Sequence, residues 1–466
     1  MSLHSADLAH FFLAVALLLV LAHVLGSAFA LLRQPRVIGE ILGGLLLGPT
    51  VLGLVAPRAQ AALLPGTGAA GAGLGVLSEL GLLLLMFLSG REVLAYRSTG
   101  PQRTVLTVTL TGLALPLAGG LAAAQLVNYT GFVGAHGNRT TFALVFGMGV
   151  AVTSIPVISR IMLDLGILHT RFARVTLSVA VLEDVVLYVA VAVILGLAGS
   201  SSGAVFGLWS LFHNPSTTAT TLYYVLASLV FLGVFMPLGR PIFAALANSR
   251  LNLIERRSPA AFRLIFLLLL VLACIFLGIN PIFGAVLAGA SAAGADNRCA
   301  DKARWAEAER SWDAIKRFSL ALFVPLYFAV VGVQLDLVHH FPVLFFMGFL
   351  VLGCVAKAVS VWLGARLAGE SNRESTHLAV ALNARGGPGI VLATVTLSAG
   401  VINEDFFTTL VVLSIVTSQF AGLWLQHAFV PELAAAQSGG DHADATPAGR
   451  SQPVQRAGSR PDAGAP

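Results

Sequence analysis

Thirteen stretches of this chain are apolar for long enough to cross the roughly 30 Å hydrocarbon core of a bilayer. They fall at about 9–31, 37–55, 72–90, 104–127, 140–164, 172–198, 219–239, 262–279, 281–295, 317–337, 342–368, 375–400 and 406–430. A soluble fold of 466 residues has no surface left over once so many apolar segments are buried. Composition agrees: 57% of residues are hydrophobic and 11% charged, against about 25% charged in ordinary soluble domains. The solvent for most of this chain is lipid. Lipid offers no hydrogen bonds to the backbone, so long apolar spans of this kind must be helices. The expected fold is an all-α membrane domain over residues 1–431, followed by a disordered cytoplasmic tail over 432–466, where Ala, Gly, Pro, Ser and Asp take over.

The basic residues test the count of spans, because cytoplasmic loops collect Lys and Arg. Alternate loops hold 21 of them, including Arg91, Arg97 and Arg103, the five from Arg240 to Arg263 and the six from Arg298 to Arg317. The opposite loops hold only Arg58 and Arg139. One missed or invented helix would scramble this asymmetry downstream. It predicts an external N-terminus and a cytoplasmic C-terminus in the plasma membrane. The same asymmetry accounts for the net charge of +6 without a nucleic-acid partner.

Two spans are interrupted. The fifth contains TSIP (Thr153 to Pro156) and the twelfth ARGGPG (Ala384 to Gly389). Pro and Gly there leave backbone groups without helical partners. The breaks lie seven spans apart, an odd offset that places the two copies in opposite orientation, as two inverted six-helix repeats joined by the seventh span require. Broken helices of this kind hold ions near the bilayer midplane in transporters.

Charge inside a span is costly and functional by default. Lys357, Arg385, Glu40, Glu79, Glu183 and Asp184 fall there. Glu183 and Asp184 are adjacent, so on a helix they point about 100° apart and cannot share one role. One can face a water-filled cavity while the other turns to a neighbouring helix. Glu40 and Glu79 fit cavity lining or interhelical pairing. The hydroxyls of Thr153, Ser154 and Ser178 can ligate a hard monovalent cation or bond to their own backbone.

GMGVAVTSIPVISRIMLDLGIL followed by SVAVLEDVV, together with PRVIGEILGGLLLGP, ELGLLLLMFLSGREV, LFVPLYFAVVGVQLDL, AKAVSVWLGARLAG and NARGGPGIVL, resembles the monovalent cation:proton antiporters. The likeness is to the branch of bacterial sodium/proton antiporters and Kef-type potassium efflux proteins, and it runs from about Leu8 to Phe429. It implies that the broken spans cross at the midplane, that Asp184 is the ion- and proton-binding aspartate, and that Glu183 occupies the preceding, variable acidic position. It further implies that Lys357 pairs with Glu183. In the family that preceding position is commonly Asp in electrogenic members, Asn in electroneutral ones and Gln in Kef-type ones, and Glu183 is longer than the usual Asp. The chain closes on a short polar tail where Kef-type members carry a nucleotide-binding domain, so a ligand-gated Kef system is not expected.

The expected function is secondary active antiport of Na+ or K+ against protons by alternating access. The protein is then a transporter and not an enzyme, with no cofactor beyond the transported ions. Asn383 and Arg385 are expected to hold the broken twelfth span. The partners are the lipid bilayer, the cations, protons and a second copy in a homodimer. The competing readings are a cation channel without obligatory proton coupling, and a transport-inactive membrane sensor on the same scaffold.

Overall fold

A computed structural model describes residues 5–32, 34–64, 68–95, 101–154, 170–199, 217–249, 252–296 and 302–429, with 158, 162 and 165–167 between. Pro156 and the tail over 432–466 lie outside the described residues. The described structure is helical apart from one isolated antiparallel bridge, Val133 with Ile402. Ten helices are long and apolar enough to cross a membrane. The principal helices are α1 (Ser5–Leu31), α2 (Arg36–Leu47), α3 (Gly68–Ala95), α4 (Gln102–Ala124), α5 (Arg139–Ala151), α6 (Arg171–Gly199), α7 (Thr217–Asn248) and α8 (Pro259–Leu277). They continue with α9 (Pro281–Asp296), α10 (Lys302–Phe318), α11 (Val324–Val333), α12 (Val343–Ala368), α13 (Asn372–Ala381), α14 (Gly387–Ser398) and α15 (Glu404–Trp424).

Ten of the thirteen expected spans coincide with those long helices. The other three fall on shorter elements: α5, α9 and the α13–α14 pair. Two boundaries differ from expectation. Helix α7 continues through Pro237 and Pro241 to Asn248. The tenth span is preceded by α10, a charged amphipathic helix that runs into the membrane segment through a π-helical turn at Ser319–Phe323.

The helices pack as two groups. The first contains α1, α2, α3, α8, α9, α10 and α11; the second contains α4, α5, α6, α12, α13, α14 and α15. Helix α7 packs on α9 of the first group and on α6 of the second. Lipid gives no hydrophobic drive for helices to associate, so close backbone approach through small residues has to do it. In the first group it is reciprocal. A methyl group at Gly44 of α2 would collide with the Ala329 carbonyl of α11, and one at Gly332 of α11 with the Ile41 carbonyl of α2. Gly90 of α3 and Gly289 of α9 meet the Val286 and Phe87 carbonyls in the same mutual way.

The second group is fastened at both ends. At one end Phe132, Phe142, Phe146, Phe345, Phe349 and Phe406 form a continuous aromatic cluster, with ring centroids as close as 4.0 Å for Phe132–Phe345. The loop before α5 is laced there to the loop before α15, His136 donating its backbone N–H to Gly400 at 2.8 Å. At the other end Glu370 accepts from Arg171 of α6 at 2.6 and 2.9 Å and from the Thr104 hydroxyl of α4 at 2.8 Å. Its own backbone carbonyl accepts from Arg366 of α12. The Arg171 guanidinium, followed by the Thr104 hydroxyl, holds the Glu370 carboxyl down at about 2.

Candidate functional site

Helix α5 begins with a reciprocal cap, the Asn138 side chain accepting from the Thr141 N–H while Thr141 Oγ1 accepts from the Asn138 N–H. It stops at Ala151, where Val152 turns to extended backbone. Helix α13 likewise stops at Ala381, and α14 restarts at Gly387 with Pro388 in its first turn, where a missing N–H costs nothing. The two breaks meet. Ser154 donates its backbone N–H to the Ala384 carbonyl at 2.9 Å, and the Thr153 hydroxyl donates to the Leu382 carbonyl at 2.6 Å.

The last carbonyls of α5 carry the partial negative charge of a helix C-terminus. Two buried cations meet it. Arg385 donates Nε to the Gly149 carbonyl at 3.0 Å and Nη2 to that of Val150 at 2.8 Å. The same guanidinium reaches the Gly353 carbonyl of α12 at 2.6 Å and Asn383 Oδ1 at 2.7 Å. Asn383 in turn donates to the Cys354 carbonyl at 2.9 Å. Lys357 of α12 donates Nζ to the Ala151 carbonyl at 2.6 Å and to the Gly112 carbonyl of α4 at 2.8 Å.

Lys357 also pairs with Glu183 of α6, with Nζ at 2.8 Å from both carboxylate oxygens. Both side chains are fully buried. Asp184, the next residue, is 0% exposed, and Thr153, Ser154 and Ser178 are buried with it. The Thr153 hydroxyl lies beside the Glu183 carboxylate as well as the Leu382 carbonyl. Glu183, Lys357, Thr153, Asn383 and Arg385 are thus joined around the meeting of the two breaks. Glu40 and Glu79 are not part of it. Glu40 packs on Gly26 of α1, one turn from Arg36, and Glu79 lies on α3 in the first group.

Residues that the sequence did not single out also reach this region. Tyr188 follows Asp184 by one turn of α6, within its electrostatic reach, and donates its hydroxyl to Met86 Sδ of α3 at 3.5 Å. Tyr327 of α11 donates to Thr394 Oγ1 of α14 at 3.4 Å. The four-residue step from Asp184 to Tyr188 was the available signal, since it places both on one face of a helix.

The family described as "Sodium/hydrogen exchanger, transmembrane" matches residues 14–430. The chain belongs to this sodium/hydrogen exchanger family. Among its relatives is a sodium/proton antiporter, NhaS4 of Synechocystis, which is 27% identical over 87% of this chain and 93% of its own length. The sodium/proton–potassium antiporter GerN of Bacillus cereus is 24% identical over 90% and 96%. The potassium/proton antiporter 1 of Saccharomyces cerevisiae is 26% identical over 89% of this chain but only 46% of its own length. The exchanger-family chain spans about half the length of that relative and of several others. Its fold is similar to that of the sodium/proton antiporter MjNhaP1 from Methanocaldococcus jannaschii, with a TM-score of 0.53 and 16% identity over 94% of this chain and 99% of that one.

Proposed function

We propose that this chain is a secondary active antiporter exchanging a monovalent cation, Na+ or K+, for protons by alternating access, with Asp184 as the site the two share. The observation that carries this reading is the charge arrangement around the breaks. The Glu183 carboxylate is matched by Lys357, and Arg385 is matched by carbonyls at the end of α5. Asp184, the next residue of α6, is a buried carboxylate as well. A proton or a cation neutralises it equally well, whereas both together would leave an excess positive charge in a medium of low dielectric. Competition for one carboxylate couples the two fluxes without a separate gate.

Thr153, Ser154 and Ser178 supply neutral oxygens of the kind hard monovalent ions prefer, and the two-group packing suits a second bundle that moves against the first. The name and coverage of NhaS4 and GerN support sodium and potassium as substrates. The distribution of basic residues supports a plasma-membrane protein with its N-terminus outside and its C-terminus in the cytoplasm. A second copy of the chain is the expected partner, and exposed apolar residues on α1, Phe12, Val20 and Val24 among them, offer it a surface.

The test is a purified-protein assay in proteoliposomes with a pH dye inside and gradients of Na+, K+ and Li+. Antiport requires that a cation gradient alone shifts the internal pH, with the membrane potential clamped. Tracer cation flux without any pH change would identify a channel and overturn the proposal.

A further inference from the structure

The loop that joins α11 of the first group to α12 of the second is tied down at both ends. On the first group, Thr50, just beyond α2, donates its hydroxyl to the Leu335 carbonyl at 2.6 Å. The same oxygen accepts the Leu337 N–H at 3.0 Å. On the second group, His340 meets the first turn of α15. Its Nδ1 lies 2.8 Å from Asp405 Oδ1, and its Nε2 lies 3.1 Å from Glu404 Oε2. That turn is itself firm, because Asn403 caps it and donates to the Gly131 carbonyl at 2.8 Å.

Between the two ties stand Val338 and His339. Asp336 draws both in: its Oδ1 accepts their backbone N–H groups at 3.0 Å each, and its Oδ2 meets His339 Nδ1 at 2.8 Å. The Asp336 carbonyl also accepts the His340 N–H at 3.0 Å. The loop is therefore a short stiff strut. Were the His340 tie to open, all of residues 338–342 would become the link between the groups, and that length can swing.

The tie depends on charge. A neutral imidazole has one N–H and one lone pair, so it cannot donate to a carboxylate from both ring nitrogens. Both contacts hold together only in the imidazolium. The charged groups acting on His340 are Asp405 and Glu404 from α15 and Asp336 from its own loop, all of them acidic. The hydrogen bond to Asp405 leads in holding the ring above the ordinary histidine value of 6.5, with partial burial opposing it. A contact that raises a histidine in this way is at full strength below the free value. It is lost as pH rises through the raised one.

We propose that His340 is a proton-operated latch between the two helix groups on the side of the 128–138 loop. Protonated, it pins the strut to α15 and slows turnover; deprotonated, it frees the second group to move. The proposal rests on the antiport reading for the motion that the latch restrains. Taken with the basic-residue topology, the latch faces outside, and exchange quickens as the external medium turns alkaline.

The test has two arms. In the first, histidine labelled with carbon-13 in the ring is titrated by NMR in the purified protein. The His340 signal is assigned by its loss in His340→Gln. Its midpoint should lie above 6.5 in the wild type and fall when Glu404→Gln and Asp405→Asn are combined. A midpoint unmoved by removing both carboxylates would overturn the latch. In the second arm, turnover at saturating cation is measured in oriented proteoliposomes, with pH varied on the 128–138 face and fixed on the other. Protons also compete at Asp184, so the quantity read is the ratio of His340→Gln to wild-type turnover at each pH. It should be about three at acid pH, the scale of a partly exposed ion pair, and fall to one above the midpoint. His340→Arg, cationic at every pH, should stay slow throughout. A ratio that does not change with pH is what a purely structural contact gives, and it would overturn the latch. A wild-type protein with no cation-driven pH signal would refute antiport itself. The NMR arm needs no transport and decides the charge-dependent tie independently.

Discussion

Lys357 holds both carboxylate oxygens of Glu183 at 2.8 Å while its remaining donors go to the Gly112 and Ala151 carbonyls, so one ammonium joins α4, α5, α6 and α12. Such a group has no donor left for water. It can respond to transport only if one of those contacts breaks. Removing one partner strands the other's charge in a low-dielectric interior, which typically costs about 3–5 kcal/mol.

Lys357→Ala is therefore expected to lower thermal stability by an amount in that range, and Lys357→Met combined with Glu183→Gln to recover much of it. Thermal unfolding in detergent followed by size-exclusion chromatography measures both. We also expect the pair to open during the cycle and to titrate a second proton, giving more protons than cations per turnover. Reversal potentials in proteoliposomes test this. A wild-type value matching one proton per monovalent cation would exclude it, and Glu183→Gln should move the value toward that ratio.

Asp184→Asn should abolish cation-driven proton movement while the protein still inserts and folds. Asn has nearly the same shape but neither takes up nor releases a proton. Exchange at the wild-type rate in the purified variant would remove Asp184 from the shared site.

Arg385→Ala should be among the more damaging changes outside the Glu183–Asp184 pair. It orphans the Gly149 and Val150 carbonyls at the end of α5 and removes a second donor from the mid-helix Gly353 carbonyl, and each buried unsatisfied group costs about 1–3 kcal/mol. Arg385→Lys should rescue only part, because an ammonium cannot span the same fork. Yield of monodisperse protein and its melting temperature report the order wild type, Lys, Ala.

Glu370 predicts a pH dependence at the fastened end of the second group. Its carboxyl is held at about 2 in the folded protein, against an ordinary value of 4.5. A depressed carboxyl stabilises the fold above the unfolded value, and the benefit is lost as pH falls from about 4.5 toward 2. The melting-temperature gap between wild type and Glu370→Gln should be constant at neutral pH and narrow within that window. A gap that does not change with pH would show that the Arg171 contact contributes packing alone.

Topology makes the last prediction. Position 256 should be labelled from the cytoplasm and position 128 from outside by an impermeant reagent on single-cysteine variants. Labelling of position 256 in intact cells would overturn the proposed sidedness.

Much of this was legible in the residues. Span length, the two Pro/Gly interruptions and the few charges inside apolar segments led to the helices and to the buried candidates, while the meeting of the breaks and the Lys357–Glu183 pair were expected from the family resemblance. What the residues withheld is rotational. A helix such as α11, apolar all round, carries no period to say which face meets a neighbour, so the Tyr327–Thr394 contact had no signal. Arg385 was visible as a buried charge, yet its partners are backbone carbonyls on other helices, and carbonyls have no sequence signature. The start of α10 was missed because a charged amphipathic helix reads as a loop in a scan for apolar spans.

The aromatic cluster and the Glu370 clamp invert the ordinary distribution of firmness along a helical bundle. Most helices fray at their ends and hold best in the middle. Here the ends are tied across several helices, while the centre is where α5 and α13 give up their regular ladders. Under deuterium, the amides around Phe142 and Phe406 should therefore outlast those around Val152 and Ala384, so that the slowest-exchanging parts of the second group flank its fastest.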